Sequence, residues 1–328
     1  MEWQALHDKT FIVDGHSDTI LNYDRYENFD FLYSNDNVHM DLPKIDTGGI
    51  DLQFFAVFIE DQFLPNAGFK NCVRLLETFR NNIIDSPNFS MIETKKDLRN
   101  AIDDGSQKKY GLLTIEGGEV LEGDINLLRA LYRLGIRGIT LTWNRRNELA
   151  DGCSLGKYAG GLSDFGCQVV REMSRLGMMV DVSHLSLNSF NHVLEIHDEP
   201  VVATHSNASS ILNHPRNLDD NQLKKIAESG GVIGLNYASH FITNSQKRAG
   251  LDELFQHLQY MINLVGEDHV ALGSDFDGIS NPPKEINTAA DLPKLTEYLC
   301  KCNLSETTIQ KVLGDNWLRV LNEVLPED

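Results

Sequence analysis

Short apolar segments recur along the chain, and each is followed by a polar or glycine-rich stretch. The segments are apolar throughout rather than alternating, which is typical of strands buried on both faces of a sheet. The pattern predicts strands at residues 11–16, 51–60, 111–118, 137–144, 177–184, 199–206, 230–236 and 269–278.

Helical patterns separate most of these segments, with apolar residues three and four positions apart. Several end at a glycine just before the next strand, which is a common helix stop signal. Strands that alternate with helices pair in parallel, and eight such units favour an α/β fold of the (β/α)8 TIM-barrel type over an open doubly wound sheet. We expect one catalytic barrel domain over residues 1–328 with C-terminal helices. The predicted helices cover residues 69–83, 125–135, 162–177, 185–197, 219–231 and 251–266, and the tail from Leu304.

Two polar segments interrupt the alternation. Residues 18–48 are polar and aromatic and are predicted to be a long loop after the first strand. Residues 276–294 are rich in Pro, Asn and Asp and follow the last strand. In a barrel both segments lie on the face where loops build the active site.

The composition of the chain limits the kinds of molecule that we expect it to bind. The 328 residues include 29 Lys and Arg against 48 Asp and Glu, a formal net charge of −19. This balance disfavours nucleic acid and anionic membrane surfaces as partners. No secretory leader or apolar run of the roughly 18 residues needed to span a membrane is visible. The five cysteines are irregularly spaced and do not indicate a disulfide framework, so we expect a cytoplasmic protein.

Metal-ligand side chains stand where the predicted strands end. Because the carboxyl ends of parallel strands share one rim of a barrel, we expect these side chains to meet there. Such a set could hold two ions if one carboxylate bridges them, and a shared hydroxide could then attack an unactivated bond. The candidate ligands are His16, Asp18, Glu116, His184 and His205.

Each candidate also has a simpler interpretation. His16 and Asp18 form an H-x-D pair that can face one ion, but the same pattern occurs in ordinary turns. Glu116 ends an apolar run, where a carboxylate is costly unless coordinated, hydrogen-bonded as a helix cap or paired with Arg137. A lone histidine at a strand end is usually structural, whereas His184 and His205 on successive strands favour metal binding. Five other histidines are expected at the surface, namely His7, His39, His192, His197 and His257.

Two further residues are candidates for proton transfer and substrate binding. Asp275, within GSDFDG, could take the proton from the attacking water, whereas Asp277 is interpreted as a turn residue. Arg216 follows the His205 strand and could hold a substrate carboxylate. A salt bridge from Arg216 to Asp219 or Asp220 is the alternative.

The ordered motifs resemble the membrane (renal) dipeptidase family of zinc peptidases. They are GHSD (15–18), TIEGGE (114–119), DVSHLS (181–186), ATHSNA (203–208), HPRN (214–217) and GSDFDG (273–278), followed by GDNWLRVL (314–321). The match runs over nearly the whole chain. It looks like a soluble, bacterial-type member of that family.

The resemblance implies a role for each residue. His16 and Asp18 would bind one zinc ion, His184 and His205 the other, and Glu116 would bridge the two. Asp275 would handle the proton, Arg216 would bind the C-terminal carboxylate of a dipeptide, and Tyr237 would contact substrate. The implied activity is dipeptide hydrolysis, often with a D-residue on the C-terminal side, and a homodimer is also implied.

One residue departs from the family pattern. The fourth strand of well-studied members ends in L-T-H, whereas this chain has Trp143 in place of that substrate-contacting histidine. Trp143 can donate one N–H but cannot become cationic, so we interpret it as a wall of the substrate pocket. A binuclear amidohydrolase acting on another amide or ester, such as an N-acyl amino acid or a lactone, is therefore the alternative function. A non-catalytic metal-binding barrel is a third.

Overall fold

Eight parallel strands close into a barrel in the computed structural model, which describes residues 2–83, 86–106 and 108–328. Neighbours pair in the order β1, β2, β4, β5, β6, β7, β8 and β9, and β9 pairs again with β1. The barrel strands are Ile12–Ser17 (β1), Ile50–Phe58 (β2), Lys109–Glu116 (β4), Ile136–Thr140 (β5), Met179–Asp181 (β6), Val201–Ala203 (β7), Val232–Leu235 (β8) and Val270–Leu272 (β9). The predicted TIM-barrel class is confirmed, and all eight predicted strands are present in shorter or shifted form.

A ninth strand was not predicted. Phe89–Met91 (β3) pairs in parallel with the first residues of β4, outside the closed ring of eight. Ser90 separates Phe89 from Met91, so the segment contains no continuous apolar run and its sequence gives no strand signal.

Helices connect the strands and cover the outside of the barrel. The helices of the first half are Trp3–Lys9 (α1), Asn22–Arg25 (α2), Leu42–Gly48 (α3), Gly68–Ile83 (α4), Lys95–Asp103 (α5), Ile125–Arg133 (α6) and Asp164–Leu176 (α7). Those of the second half are Leu187–Ile196 (α8), Asp220–Glu228 (α9), Ser239–Ile242 (α10), Leu251–Val265 (α11), Leu292–Lys301 (α12), Glu306–Gln310 (α13) and Asn316–Val324 (α14), with a π-helical turn at Lys311–Asp315. In the part of the chain that is described, no helix has the length and apolar character needed to cross a membrane.

The prediction of one long loop over residues 18–48 is wrong in part. The segment contains α2 and α3, and α3 has ordinary helix signals at both ends. Asp41 caps it by accepting a hydrogen bond from the Lys44 backbone N–H, and Gly49 ends it in the left-handed conformation with φ 68°. The predicted loop at 276–294 is largely irregular, and α12 begins at Leu292.

The expectation that five histidines are exposed is wrong for three of them. His7, His197 and His257 are buried. His7 lies between the Thr296 hydroxyl and the Gly48 carbonyl at 2.8 and 3.0 Å, and His257 contacts the Ile242 carbonyl at 3.0 Å. These polar partners satisfy hydrogen-bonding nitrogens of the His7 and His257 imidazoles. The helical sequence pattern around these histidines gives no indication that they are buried.

The barrel interior is apolar towards the amino ends of the strands and polar towards the carboxyl ends. One buried hydrophobic cluster contains Val13, Leu52, Leu112 and other residues from the first parts of the strands, together with Trp317 of α14. Trp317 donates its indole N–H to the Leu272 carbonyl at 2.8 Å. The closed apolar end leaves the opposite end for polar side chains, as in other parallel barrels.

Candidate active site

Six acidic and imidazole side chains from five strands converge at the carboxyl end of the barrel. Each ends a strand or closely follows one, so barrel closure brings together residues far apart in sequence. All are at most 8% exposed. The six are His16 and Asp18 at β1, Glu116 at β4, His184 after β6, His205 after β7 and Asp275 after β9.

Glu116 lies between two groups of ligand atoms. Its Oε2 lies 3.8 Å from Nε2 of His16, which is in turn 3.8 Å from Oδ2 of Asp18. Its Oε1 lies 2.8 Å from Nε2 of His184 and 3.5 Å from Nε2 of His205. The two oxygens of one carboxylate therefore face different sets of ligands, as a bridging carboxylate requires.

The buried atoms of the cluster fit divalent cations. Nε2 of His16 and Oδ1 of Asp18 are buried and have no hydrogen-bond partner in the described structure. Such atoms are costly unless a cation or a polar group satisfies them. Ligand atoms also lie within 4.8 Å of one another in two sets, His16 with Glu116 and His205, and His16 with Asp18 and Asp275. Imidazole nitrogens with carboxylate oxygens suit zinc and similar borderline ions.

The histidines of the cluster differ in the direction of their pKa shifts. Burial, assisted by the positive charge of Arg216, holds the pKa of His184 well below its usual range, and burial does the same for the pKa of His205. Neutral imidazole is the form that binds a metal. Burial also lowers the pKa of His16, but the adjacent carboxylates of Asp18 and Glu116 outweigh it and raise that pKa to about 10. Without a cation, a proton on His16 would supply the missing positive charge.

The carboxyls of the cluster also differ. Burial and the charge of Glu116 raise the pKa of Asp18. Burial raises the pKa of Asp275 to about 7, against the lowering effect of His16. Burial acts the same way on Glu116, but its contact with His205 and the charge of His16 leave its pKa lowered. Glu116 is thus the carboxyl of this group that is held most firmly as an anion.

Neighbouring polar side chains fix the orientation of the cluster. Nδ1 of His184 lies 2.9 Å from Oδ1 of Asn144, which leaves Nε2 directed at Glu116. Oδ2 of Asp275 accepts from Asn236 at 2.9 Å, while its other oxygen points towards Gly278. Contacts of this kind hold metal ligands and catalytic groups in one rotamer.

Asp181, at the end of β6, organises the strands beneath the site. One oxygen accepts from the hydroxyls of Thr140 and Thr204, each at 2.5 Å, and the other from the backbone N–H groups of Ser183 and Thr204. The Thr204 hydroxyl in turn lies 2.9 Å from Nδ1 of His205. Asp181 was not among the predicted site residues, although an acid inside the apolar run MMVDV is a usable signal.

The backbone at the site is unusual at two of the six residues. His184 and Asp275 have φ of 66° and 62°, in the left-handed region that non-glycine residues seldom occupy. Such conformations persist where surrounding contacts enforce them, and they cluster at functional sites.

An open cleft of about 230 Å³ gives access to the cluster. Asp18, Glu116, His184 and Asp275 line its floor. Trp143, half-buried, forms a wall with its ring 5.3 Å from that of Phe58 and 6.3 Å from that of His184. The remaining lining residues include Leu21, Arg25, Asn144, His240, Phe241 and Ile279.

Arg216 lies next to the cluster and forms a salt bridge with none of the described carboxylates. Its guanidinium is buried, donates to the His205 carbonyl at 3.0 Å and lies 5.6 Å from the Phe241 ring. Its Nε has no partner in the described structure. Asp219 and Asp220 are used instead as a helix cap and as an acceptor from Tyr260, so the alternative salt bridge of Arg216 is not formed. Arg216 lines a second cavity, of about 490 Å³, which shares His184 with the cleft.

The structure also bears on predictions made for Tyr237, Glu116 and Asp277. Tyr237 is fully buried against Phe276 and lines neither cavity, which differs from the substrate-contacting position implied by the resemblance. Glu116 makes no pair with Arg137, which binds Glu93. Asp277 accepts from the Thr19 hydroxyl and the His39 backbone N–H, as a turn residue would.

Comparisons with known proteins agree with this geometry. The model of the membrane dipeptidase family, peptidase family M19, matches residues 1–326. An uncharacterized dipeptidase of Schizosaccharomyces pombe is 32% identical over 94% of this chain and 79% of its own length. The dipeptidase verJ of Clonostachys rogersoniana is 30% identical over 87% of this chain and 76% of its own.

Solved structures show the same fold. Dipeptidase AC, a metallopeptidase of family M19, is 29% identical with a TM-score of 0.87, covering 96% of this chain and 99% of its own. A metallopeptidase from Rhodobacter sphaeroides, bound to a phosphinate mimic of the dipeptide L-Ala-D-Ala, is 27% identical with a TM-score of 0.86, covering 96% of this chain and 100% of its own. With its fold, its ligand cluster and a family match over nearly its full length, this chain belongs to the membrane dipeptidase family, peptidase family M19.

Proposed function

We propose that this M19 dipeptidase uses two zinc or similar divalent ions to hydrolyse dipeptides that have a free C-terminal carboxylate, including those with a C-terminal D-residue. The observation that carries the proposal is the placement of Glu116, whose two oxygens face His16 on one side and His184 with His205 on the other. When bound, such ions lower the pKa of water and stabilise negative charge on a peptide oxygen.

The side chains of this chain would divide the remaining work. His16, Asp18, Glu116, His184 and His205 would hold the ions. Asp275 has one oxygen fixed by Asn236, and its other oxygen is directed towards the cleft, where it can accept a proton and deliver it to the leaving amine.

Arg216 would hold the C-terminal carboxylate of the substrate. Its buried, partly unsatisfied guanidinium beside His184 supports this role, because an arginine binds a carboxylate through paired N–H donors. Tolerance of a D-residue is supported by the Rhodobacter sphaeroides relative, whose bound ligand mimics L-Ala-D-Ala.

A dipeptide panel tests the activity. We expect zinc-loaded enzyme to hydrolyse L-Ala-L-Ala and L-Ala-D-Ala, and His184→Ala to lower kcat/KM at least a hundredfold. His192→Ala, at an exposed position of α8, is the matched control. Full activity of His184→Ala would rule out the proposed site.

Asp275→Asn tests the proposed proton transfer. The amide keeps the size of the side chain but cannot accept a proton from water, so kcat should fall by about 10²–10⁴. Zinc content, measured by mass spectrometry, should fall much less than activity. Asp277→Asn serves as the control, and equal losses in the two variants would assign Asp275 a structural role only.

Trp143 favours one alternative substrate class. It places an indole at the cleft wall beside His184, so the enzyme lacks the imidazole that helps well-studied members hold their substrate. An N-acyl amino acid or a lactone is then the competing substrate. Arg216→Ala separates a lactone from dipeptides and N-acyl amino acids, since its KM effect should be large for substrates with a carboxylate and absent for a lactone.

A further inference from the structure

A second arginine stands at the mouth of the cleft, and neither the ligand cluster nor the proposed catalysis uses it. Arg25, the last residue of α2, lines the cleft together with Asp18 and Gly278. Its Nη1 donates to the Asp277 carbonyl at 2.6 Å. That bond holds the exposed side chain of Arg25 beside the cleft.

The remaining donors of Arg25 are available to a ligand. No described carboxylate lies within 4 Å of its guanidinium, and the adjacent Asp24 is paired with Arg74 at 2.5 Å. An arginine has five N–H donors, and one bond to a carbonyl leaves a pair able to bind a carboxylate. The charge of Arg25 acts on Asp18 from a distance, but among the described residues no carboxylate pairs with it directly, although the chain has a net charge of −19.

The barrel places Arg25 and Arg216 on different sides of the ligand cluster. Arg25 follows β1, whereas Arg216 follows β7, three positions away around the ring of eight strands. Arg216 lines the neighbouring cavity, whereas Arg25 lines the cleft with Asp18 and Gly278, and the two cavities share His184. A dipeptide whose C-terminal carboxylate is held by Arg216 would therefore pass His184 and direct its N-terminal residue into the cleft, towards Arg25.

We propose that Arg25 determines specificity by binding a side-chain carboxylate on the N-terminal residue of the substrate, so that the enzyme favours dipeptides beginning with Glu or Asp. This inference rests on the proposed dipeptidase function. Arg25 would act as a binding residue without taking part in bond cleavage. A change at Arg25 would then alter the ratio of kcat/KM between substrates with an acidic and with a neutral N-terminal residue.

Two pairs of dipeptides test the proposal on the zinc-loaded enzyme. L-Glu-L-Ala and L-Gln-L-Ala have nearly the same shape and differ in charge at the N-terminal residue. We expect kcat/KM for the acidic member to be about tenfold higher, the scale of a partly exposed charge-assisted hydrogen bond. L-Ala-L-Glu and L-Ala-L-Gln move the same difference to the C-terminal residue, where the ratio should stay near one.

Variants of Arg25 assign the preference to this side chain. Arg25→Gln should reduce the Glu-Ala to Gln-Ala ratio to about one, and Arg25→Lys should restore part of it because the charge remains. Arg175→Gln, an exposed arginine paired with Glu172 on α7, should keep the wild-type ratio. Raising the salt concentration should lower the ratio in the wild type and leave it unchanged in Arg25→Gln.

The outcomes separate this inference from the proposed function. Hydrolysis of L-Ala-L-Ala and Gln-Ala without a preference for Glu-Ala overturns the role of Arg25 and leaves the dipeptidase proposal intact. Equal losses on Glu-Ala and Gln-Ala in Arg25→Gln, with a lowered Tm, would make Arg25 a loop tether and also overturn it. A zinc-loaded enzyme that cleaves no dipeptide overturns both proposals.

Discussion

The role of each residue at this site depends on the side chains that surround it. Glu116 is an ordinary strand-end glutamate in the sequence, and it becomes a candidate bridge only because three imidazoles from β1, β6 and β7 face its two oxygens. The convergence of the candidate ligands could be predicted because parallel strands end on one rim. The surroundings of other side chains could not, since they depend on packing: Arg216 pairs with none of the described aspartates, and Tyr237 is buried.

Gly278 provides a test at the scale of one atom. A Cβ at this position would lie 2.0 Å from Oδ2 of Asp18 and 2.4 Å from Oδ1 of Asp275. Gly278→Ala should therefore displace both carboxylates and lower zinc affinity and kcat/KM at least tenfold. Because Gly278 is exposed, the free energy of unfolding of the metal-free protein should change by less than about 1 kcal/mol.

Gly68→Ala is the matched control for this change. A Cβ at Gly68 would make only ordinary contacts, at 3.6 Å, with Ile59, Leu64 and Val120. We expect wild-type zinc affinity and activity in this variant. Wild-type zinc affinity in Gly278→Ala would show that the two aspartates do not approach each other as described.

At the scale of elements, the strands are short and their ends do most of the positioning. β6 and β7 have three residues each, and Asp181 links them to β5 through the hydroxyls of Thr140 and Thr204. Apolar runs predicted the existence of the barrel strands well, but most predicted strands were too long. The residues just after each strand are also buried, and the predicted strands included them. The elements missed are strand β3 and helices α1, α2, α3, α5, α10 and α12. Strand β3 and helices α2 and α10 have only three or four residues each, and tertiary packing stabilises such short elements more than local periodicity does.

The outer helices offer a prediction on pH. Glu172 on α7 accepts from Arg129 of α6 at 2.7 Å and from Arg175 at 2.8 Å, and these hydrogen bonds lower its pKa to about 2. A carboxyl with a lowered pKa in the folded state stabilises the protein above its unfolded pKa, near 4.5, and loses this effect as pH falls towards 2. Glu172→Gln should cost about 1 kcal/mol at pH 7, since the pairs are partly exposed.

Urea unfolding at pH 7, 5.5 and 4 measures this effect. The stability difference between wild type and Glu172→Gln should be constant down to pH 5.5 and smaller at pH 4. Glu77→Gln, at an exposed glutamate of α4, should show no such trend. A difference that is the same at all three pH values would mean that the arginine pairs do not depend on the charge of Glu172.

At the scale of the whole molecule, barrel closure creates the site. It brings β1 next to β9 and sets β6 across the ring from β1, so residues 16 and 275 meet residues 184 and 205 around Glu116. The sequence contains the candidate ligands, but only the closed ring sets the distances among them. The same closure places Arg25 at the cleft and Arg216 in the neighbouring cavity, and Arg25 lies in no motif that the sequence reveals.

The measurement that tests this account most directly is the number of metal ions bound per chain. Protein loaded with zinc, freed of excess by gel filtration and analysed by mass spectrometry, should contain two ions per chain. Glu116→Ala should lose most of both, because its two oxygens face both sets of ligands, and Glu148→Ala at an exposed position should keep two. A wild-type chain that retains no ion, or a Glu116→Ala variant that retains two, would contradict the account.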